Sequence, residues 1–212
     1  MFSPATEKGF HAGREPANKG KKYPPEVLTP DEVRGLIEAC SSRAPTGVRN
    51  RALIVVMYRG GLRVGETLAL RPKDVDLAAG TVTVLHGKGD RRRVVGLDPG
   101  AMAIVSRWLE ARQTLGFNGY IPLFCTLQGK PLKPSYVRTL LPRLADKADI
   151  EKRVHPHGLR HTHAYELMTE GVPVPIIQQQ LGHTSLATTD RYVSHLAPVD
   201  LISHMQQRDW SL

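Results

Sequence analysis

Five side chains capable of phosphate chemistry fall in a fixed order between residues 157 and 192: His157, Arg160 and His161, then His183, then Tyr192. A phosphodiester gains negative charge as it becomes pentacoordinate, so its cleavage needs cations preorganised around the non-bridging oxygens. Arg160 offers a permanently charged planar fork to such oxygens, and Arg63, far upstream, offers a second. Histidines donate to phosphate oxygens or move a proton near neutral pH, which suits His157 and His183. Tyr192 can attack phosphorus and stay attached as an ester, provided a base or a cationic setting offsets its ordinary pKa of ~10. The spacing i, i+3 places His157 and Arg160 on one helix face, near an N-terminus whose free N–H groups and dipole favour a phosphate. This set is equipped for strand cleavage through a covalent phosphotyrosine. Taken singly, each residue has a plainer use, such as a surface cation, a helix cap or a half-buried packing tyrosine. Their co-occurrence carries the reading.

Thr29-Pro30-Asp31-Glu32 is a capping box that opens a helix to about Cys40, the first of the elements expected to hold these groups. A mostly apolar helix is expected from about Asn50 to Arg59, stopping at Gly60-Gly61, and a short one from Arg63 through Leu70. Two β-rich runs, Thr81–Leu85 and Arg93–Leu97, flank His86-Gly87-Lys88-Gly89-Asp90 and predict a hairpin with Lys88 at its turn. Asp98-Pro99 caps a helix ending near Gly116, and Pro134 opens another that Pro142 should kink or interrupt. Further helices are expected from near His157 to Gly171, from Pro175 to Leu181, around Tyr192 after Ser185, and from Pro198 to Gln207. The fold class is therefore α+β, mainly α, with one small antiparallel sheet.

The 212 residues suffice for one sizeable domain, and 41% hydrophobic with 23% charged residues is an ordinary globular balance. The net charge of +9 points towards a polyanion, although charge alone leaves a merely basic protein equally open. Residues 1–25 carry five Lys or Arg against two Glu, a local +3, and read as a flexible basic arm. Cys40 and Cys125 form no paired motif, which fits small buried hydrophobes in a reducing compartment. The apolar run Ala52–Tyr58 is too short to span a bilayer, so no membrane role is expected. His155, His157, His161 and His163 invite a metal reading. Gly158, however, stands where a metalloprotease motif needs Glu, and no CxxC completes a ligand shell, so no metal is expected. Glu66, three residues after Arg63, either orients that arginine or is an exposed helical carboxylate.

Four blocks in order resemble the catalytic domain of the tyrosine recombinases, also called the phage integrase family, over roughly residues 26–196. They are Gly61-Leu62-Arg63-Val64-Gly65-Glu66, the hairpin from Gly87-Lys88-Gly89 to Arg93-Val94-Val95, His157-Gly158-Leu159-Arg160-His161, and Leu181-Gly182-His183 with Tyr192 nine residues on. The resemblance implies a site-specific recombinase that cleaves and rejoins double-stranded DNA through a 3′-phosphotyrosine. Its catalytic residues would be Arg63, Lys88, His157, Arg160, His183 and Tyr192, with His157 assisting as base and Lys88 protonating the departing 5′ oxygen. The ester conserves the bond energy, so neither ATP nor a metal cofactor is needed. Partners implied are duplex DNA, further copies of the chain in a synaptic tetramer, and accessory DNA-bending proteins, in a cytoplasmic, nucleoid-associated setting.

Residues 197–212 are expected to form a C-terminal helix that is either exchanged between subunits or packed on its own domain. Family members carry a separate N-terminal helical domain that closes a clamp on DNA, whereas about 25 residues precede the first helix here. That arrangement resembles the short fimbrial-switch invertases, and a truncated piece is equally open. Fewer phosphate contacts mean weaker binding and a flatter salt dependence. Rival functions are an inactive DNA-binding remnant of the same fold, and a topoisomerase-like relaxer or hairpin-forming resolvase.

Overall fold

The computed structural model describes residues 26–85 and 92–182. Its framework is set by prolines at helix starts, where a missing N–H costs nothing and the fixed φ is already helical. Pro30, Pro45, Pro99, Pro134 and Pro156 are the first residues of α1 (Pro30–Glu38), α2 (Pro45–Arg59), α4 (Pro99–Thr114), α5 (Pro134–Lys147) and α6 (Pro156–Thr169). The remaining α-helices among the described residues are α3 (Val64–Ala69) and α7 (Val174–Leu181), with a single 3₁₀ turn at Pro72–Asp74. Thr29 caps α1 in the expected reciprocal box with Glu32, and the Asp98 carboxylate accepts from the Ala101 N–H to cap α4.

The core is organised around α2. Every residue from Ala52 to Tyr58 is buried, so this stretch of the helix is enclosed all round, and α2 packs against α4, α6 and α1. Each fully buried aliphatic side chain there contributes about 1.5–3 kcal/mol by leaving water. Trp108 of α4, completely buried, donates its indole N–H to the Leu123 carbonyl and ties the segment after α4 to the same core. A smaller apolar cluster of Ala164, Ile177 and Leu181 joins α6 to α7.

The sheet is antiparallel in the order β1 (Val75–Asp76), β2 (Thr81–Val84), β3 (Arg93–Gly96), with Val82 opposite both Val75 and Val95. Val82, Val84 and Val95 face the core, as alternation demands, while Val94 is exposed.

The mainly helical fold with a small sheet stands as expected, with differences at boundaries. Helix α2 begins at Pro45, five residues before Asn50, because Pro45 supplies an N1 position that the apolar pattern alone does not mark. Helix α5 continues through Pro142 to Lys147 instead of breaking there. One missing N–H is outweighed by burial of Val137, Leu140, Leu141, Leu144 and Ala145 along its inner face. Strand β1, two residues long, escapes any periodicity argument. The expected helices around Tyr192 and from Pro198, and the turn bearing Lys88, lie outside the described residues.

Candidate active site

Gly61 adopts φ +60°, and a Cβ there would come within 2.5 Å of Leu181 Cδ2 and 2.9 Å of the His163 ring. Only glycine fits this turn, which swings the chain out of α2 and delivers Arg63 to the start of α3. Glu66 fixes that arginine twice. Its Oε2 accepts the Arg63 backbone N–H at 2.9 Å, and its Oε1 accepts from Arg63 Nη1 at 2.8 Å. The Arg63 side chain keeps 33% exposure, so part of its guanidinium faces solvent. Glu66 itself is buried, which decides in favour of an orienting carboxylate over an exposed one. Burial works to raise its pKa, but bonds from Arg93 and Arg63 outweigh that and hold it at about 2.

Helix α6 is capped by His155, whose Nδ1 accepts the Gly158 N–H at 3.1 Å, so the helix begins at Pro156, one residue before His157. His157 is exposed in the first turn and lies edge-to-face on His161 with ring centroids 4.2 Å apart. Desolvation of its ring, then the positive charge of Arg160, His155 and Arg63, lowers its pKa below the usual value. At neutral pH it is therefore mostly the free base, the form that can accept a proton.

Arg160, one turn further on, is 1% exposed. Its Nη1 donates to the Gly61 carbonyl and its Nη2 to the Leu181 carbonyl at 2.7 Å. One guanidinium thus ties the chain two residues before Arg63 to the chain two residues before His183. Arg63, His157 and Arg160 line a single cleft of about 610 Å³ together with Arg138, Lys152 and Arg153. Five cations, those three arginines or lysines with Arg63 and Arg160, stand against two acids, Asp146 and Glu151, so the cleft favours an anion. Lys152 is partly neutralised by Glu32 at 2.8 Å. Lys88, His183 and Tyr192 lie outside the described residues. Within the described residues no three His, Cys, Asp or Glu side chains assemble as metal ligands, and no helix is long and apolar enough to cross a membrane.

Residues 26–197 match the profile of the phage integrase family. The chain belongs to that family. The tyrosine recombinase XerC of Halalkalibacterium halodurans is 37% identical over 180 residues, covering 82% of this chain and 59% of that protein. The tyrosine recombinase XerD of Ralstonia nicotianae is 38% identical, covering 83% of this chain and 58% of that protein. Among solved structures, the XerA recombinase superposes with a TM-score of 0.77 at 34% identity, covering 95% of this chain and 73% of that one. The XerH site-specific recombinase in a post-cleavage complex with its palindromic difH substrate gives 0.70 at 29%, covering 86% of this chain and 53% of that one. The chain thus spans somewhat under three fifths of the length of the XerC and XerD relatives.

Within this phage integrase domain, sequence reading assigned no role to Arg93, Gln180 or His163. Arg93, last of three successive arginines, opens the second β-rich run, and its partner Glu66 is 27 residues away. His163 is 3% exposed, and neither ring nitrogen has a hydrogen-bond partner among the described residues. Desolvation, then Arg59 and Arg160, lowers its pKa to about 4.

A pH dependence of stability follows. The unfolded chain takes a proton at His163 below about pH 6.5, whereas the folded chain refuses it until about pH 4. Stability is therefore full above pH 6.5 and falls as pH drops towards 4, by on the order of 3 kcal/mol from this group. Glu66 adds a loss of the same sign between about pH 4.5 and 2. Urea midpoints should fall steeply from pH 7 to 4.5 in the wild type and much less in His163→Met. Equal slopes in the two proteins would show that His163 is not the group responsible.

Proposed function

We propose that this protein is a site-specific DNA recombinase that cleaves and rejoins duplex DNA through a covalent bond between Tyr192 and the 3′ phosphate. The observation carrying the reading is that Arg63, His157 and Arg160, 97 positions apart at the extremes, line one cationic cleft at the start of α6. Membership of the phage integrase family, and relatives named as recombinases, support it.

In the proposed reaction Tyr192 Oη attacks phosphorus while its proton passes to His157, which stands as the free base. The P–O5′ bond breaks, the electron pair leaves on O5′, and Lys88 supplies the proton that makes the 5′ hydroxyl. Arg63, Arg160 and His183 hold the non-bridging oxygens as their charge increases. Attack by a 5′ hydroxyl of another strand reverses each step, so rejoining needs no added energy source. The active assembly is a tetramer on two DNA sites, with accessory bending proteins where the sites need them, acting on cytoplasmic, nucleoid-borne DNA. Residues 1–25 serve as a basic arm and 197–212 as the helix exchanged between subunits.

The test is a trapping assay with a pool of nicked duplexes made from the source genome, scoring adducts that survive SDS. An adduct formed by the wild type and lost in Tyr192→Phe is expected. An adduct persisting in Tyr192→Phe would falsify the assignment of the nucleophile. Tight duplex binding with no adduct would instead identify a DNA-binding remnant, and plasmid relaxation without recombinant product would identify a topoisomerase-like enzyme.

A further inference from the structure

Arg93 is the first residue of β3, five positions after Lys88, and its side chain is 11% exposed. Its Nη1 and Nη2 reach the two Glu66 oxygens at 3.1 and 2.7 Å, so the carboxylate that orients Arg63 is shared with the strand leaving the Lys88 turn. The rest of the Arg93 side chain crosses Gly182, the residue before His183. A Cβ on Gly182 would lie 2.8–2.9 Å from Arg93 Cδ, Nε and Cζ, and Gly182 also holds φ +65° to end α7. Three residues along β3 there is a second tie. The Gly96 N–H donates to Gln180 Oε1 at 3.2 Å, and Gln180 Nε2 donates back to the Gly96 carbonyl at 2.8 Å. A side-chain amide thus occupies the outer edge of β3 as a neighbouring strand would. The apolar seat of α7 is small, chiefly Ile177 and Leu181 on Ala164, so these polar ties carry much of its placement against the sheet.

We propose that Arg93 and Gln180 are positioning residues that lock β3 to α7, holding the strand that follows Lys88 in sequence and the helix end that precedes His183 in one frame with Arg63. The proposal rests on the phosphotyrosine reading above. Neither residue touches the substrate; each acts through the groups it holds.

The test is single-turnover adduct formation, at saturating protein, on the nicked duplex that the wild type traps, alongside affinity for the same duplex. Misplacing reacting groups by about 1 Å costs about 100-fold, so Arg93→Met should slow cleavage by about that factor while affinity changes less than about threefold. Arg93→Lys should recover little of the rate, because an ammonium cannot span both Glu66 oxygens. Gln180→Leu should slow cleavage about tenfold and speed amide exchange at Gly96, which loses its acceptor. Rates within about threefold of wild type in Arg93→Lys and Gln180→Leu would overturn the proposal, as would a loss of affinity equal to the loss of rate. A wild type that forms no adduct on any duplex would sink the phosphotyrosine reading itself, which separates the two failures.

Discussion

Arg160→Ala should cost this protein both stability and cleavage. The guanidinium is essentially unexposed and donates to the carbonyls of Gly61 and Leu181, both buried residues. Each buried acceptor left without its donor costs about 1–3 kcal/mol, and the emptied volume adds to that. A loss of about 3–5 kcal/mol lowers the melting temperature by roughly 10 °C for a domain of this size. Under the proposed mechanism the same change removes a cation from the phosphate, worth about 10²–10³ in rate, and frees the two segments that lead to Arg63 and His183. Arg160→Lys separates charge from geometry. It keeps the cation but cannot bridge two carbonyls that belong to distant parts of the chain, so it should recover less than a tenth of the lost rate. Calorimetry and single-turnover adduct formation well below the melting temperature read the two effects separately. A melting temperature within about 2 °C of wild type would show that Arg160 is not the tie the contacts describe.

Arg112→Met should be comparably destabilising and yet leave cleavage alone. Arg112, 2% exposed on α4, donates from Nη1 to the carbonyls of Pro122 and Leu123 at 2.6 and 3.0 Å and to Cys125 Sγ at 3.2 Å. Its Nη2 reaches the Ile121 carbonyl at 3.0 Å. The cation is therefore solvated by backbone dipoles of one folded segment rather than by a carboxylate. Removing it strands several of those carbonyls, and a loss of about 3–5 kcal/mol is expected. Arg112 does not line the cationic cleft, so adduct formation measured well below the melting temperature should stay within about twofold. A large rate loss at unchanged stability would reverse the assignment of Arg112 to the fold. Arg112 and Arg160 are both buried arginines gripping carbonyls, and what separates their predicted phenotypes is which segments they grip and that Arg160 also lines the cationic cleft.

The helix starts were legible because capping is local: Thr29 with Glu32, Asp98 before Pro99, and prolines at first-turn positions act within a few residues of themselves. The β2–β3 pair was legible from its valine alternation around a glycine-rich turn. The start of α2 was not, because Pro45 sits among polar residues with no apolar rhythm. Passage of α5 through Pro142 was not either, because the gain comes from burial against α1, α3 and α6, which no local rule weighs.

Residue order alone specifies the chemistry on offer: two permanently charged forks at Arg63 and Arg160, a histidine at a helix start, and a tyrosine downstream, in the order that marks the phage integrase family. Residue type and short spacing suffice for that, since intrinsic charge, donor geometry and helix phase are properties of a few adjacent residues. How the pieces are held follows from packing between distant segments. Glu66 could be exposed or orienting until Arg93, 27 residues on, was found on the same carboxylate. Arg160 could be wholly a phosphate ligand until two of its donors were found on Gly61 and Leu181. His163 was one of nine histidines until burial lowered its pKa to about 4. Desolvation and long-range pairing depend on what the folded chain brings together, and they exist only once the core has formed.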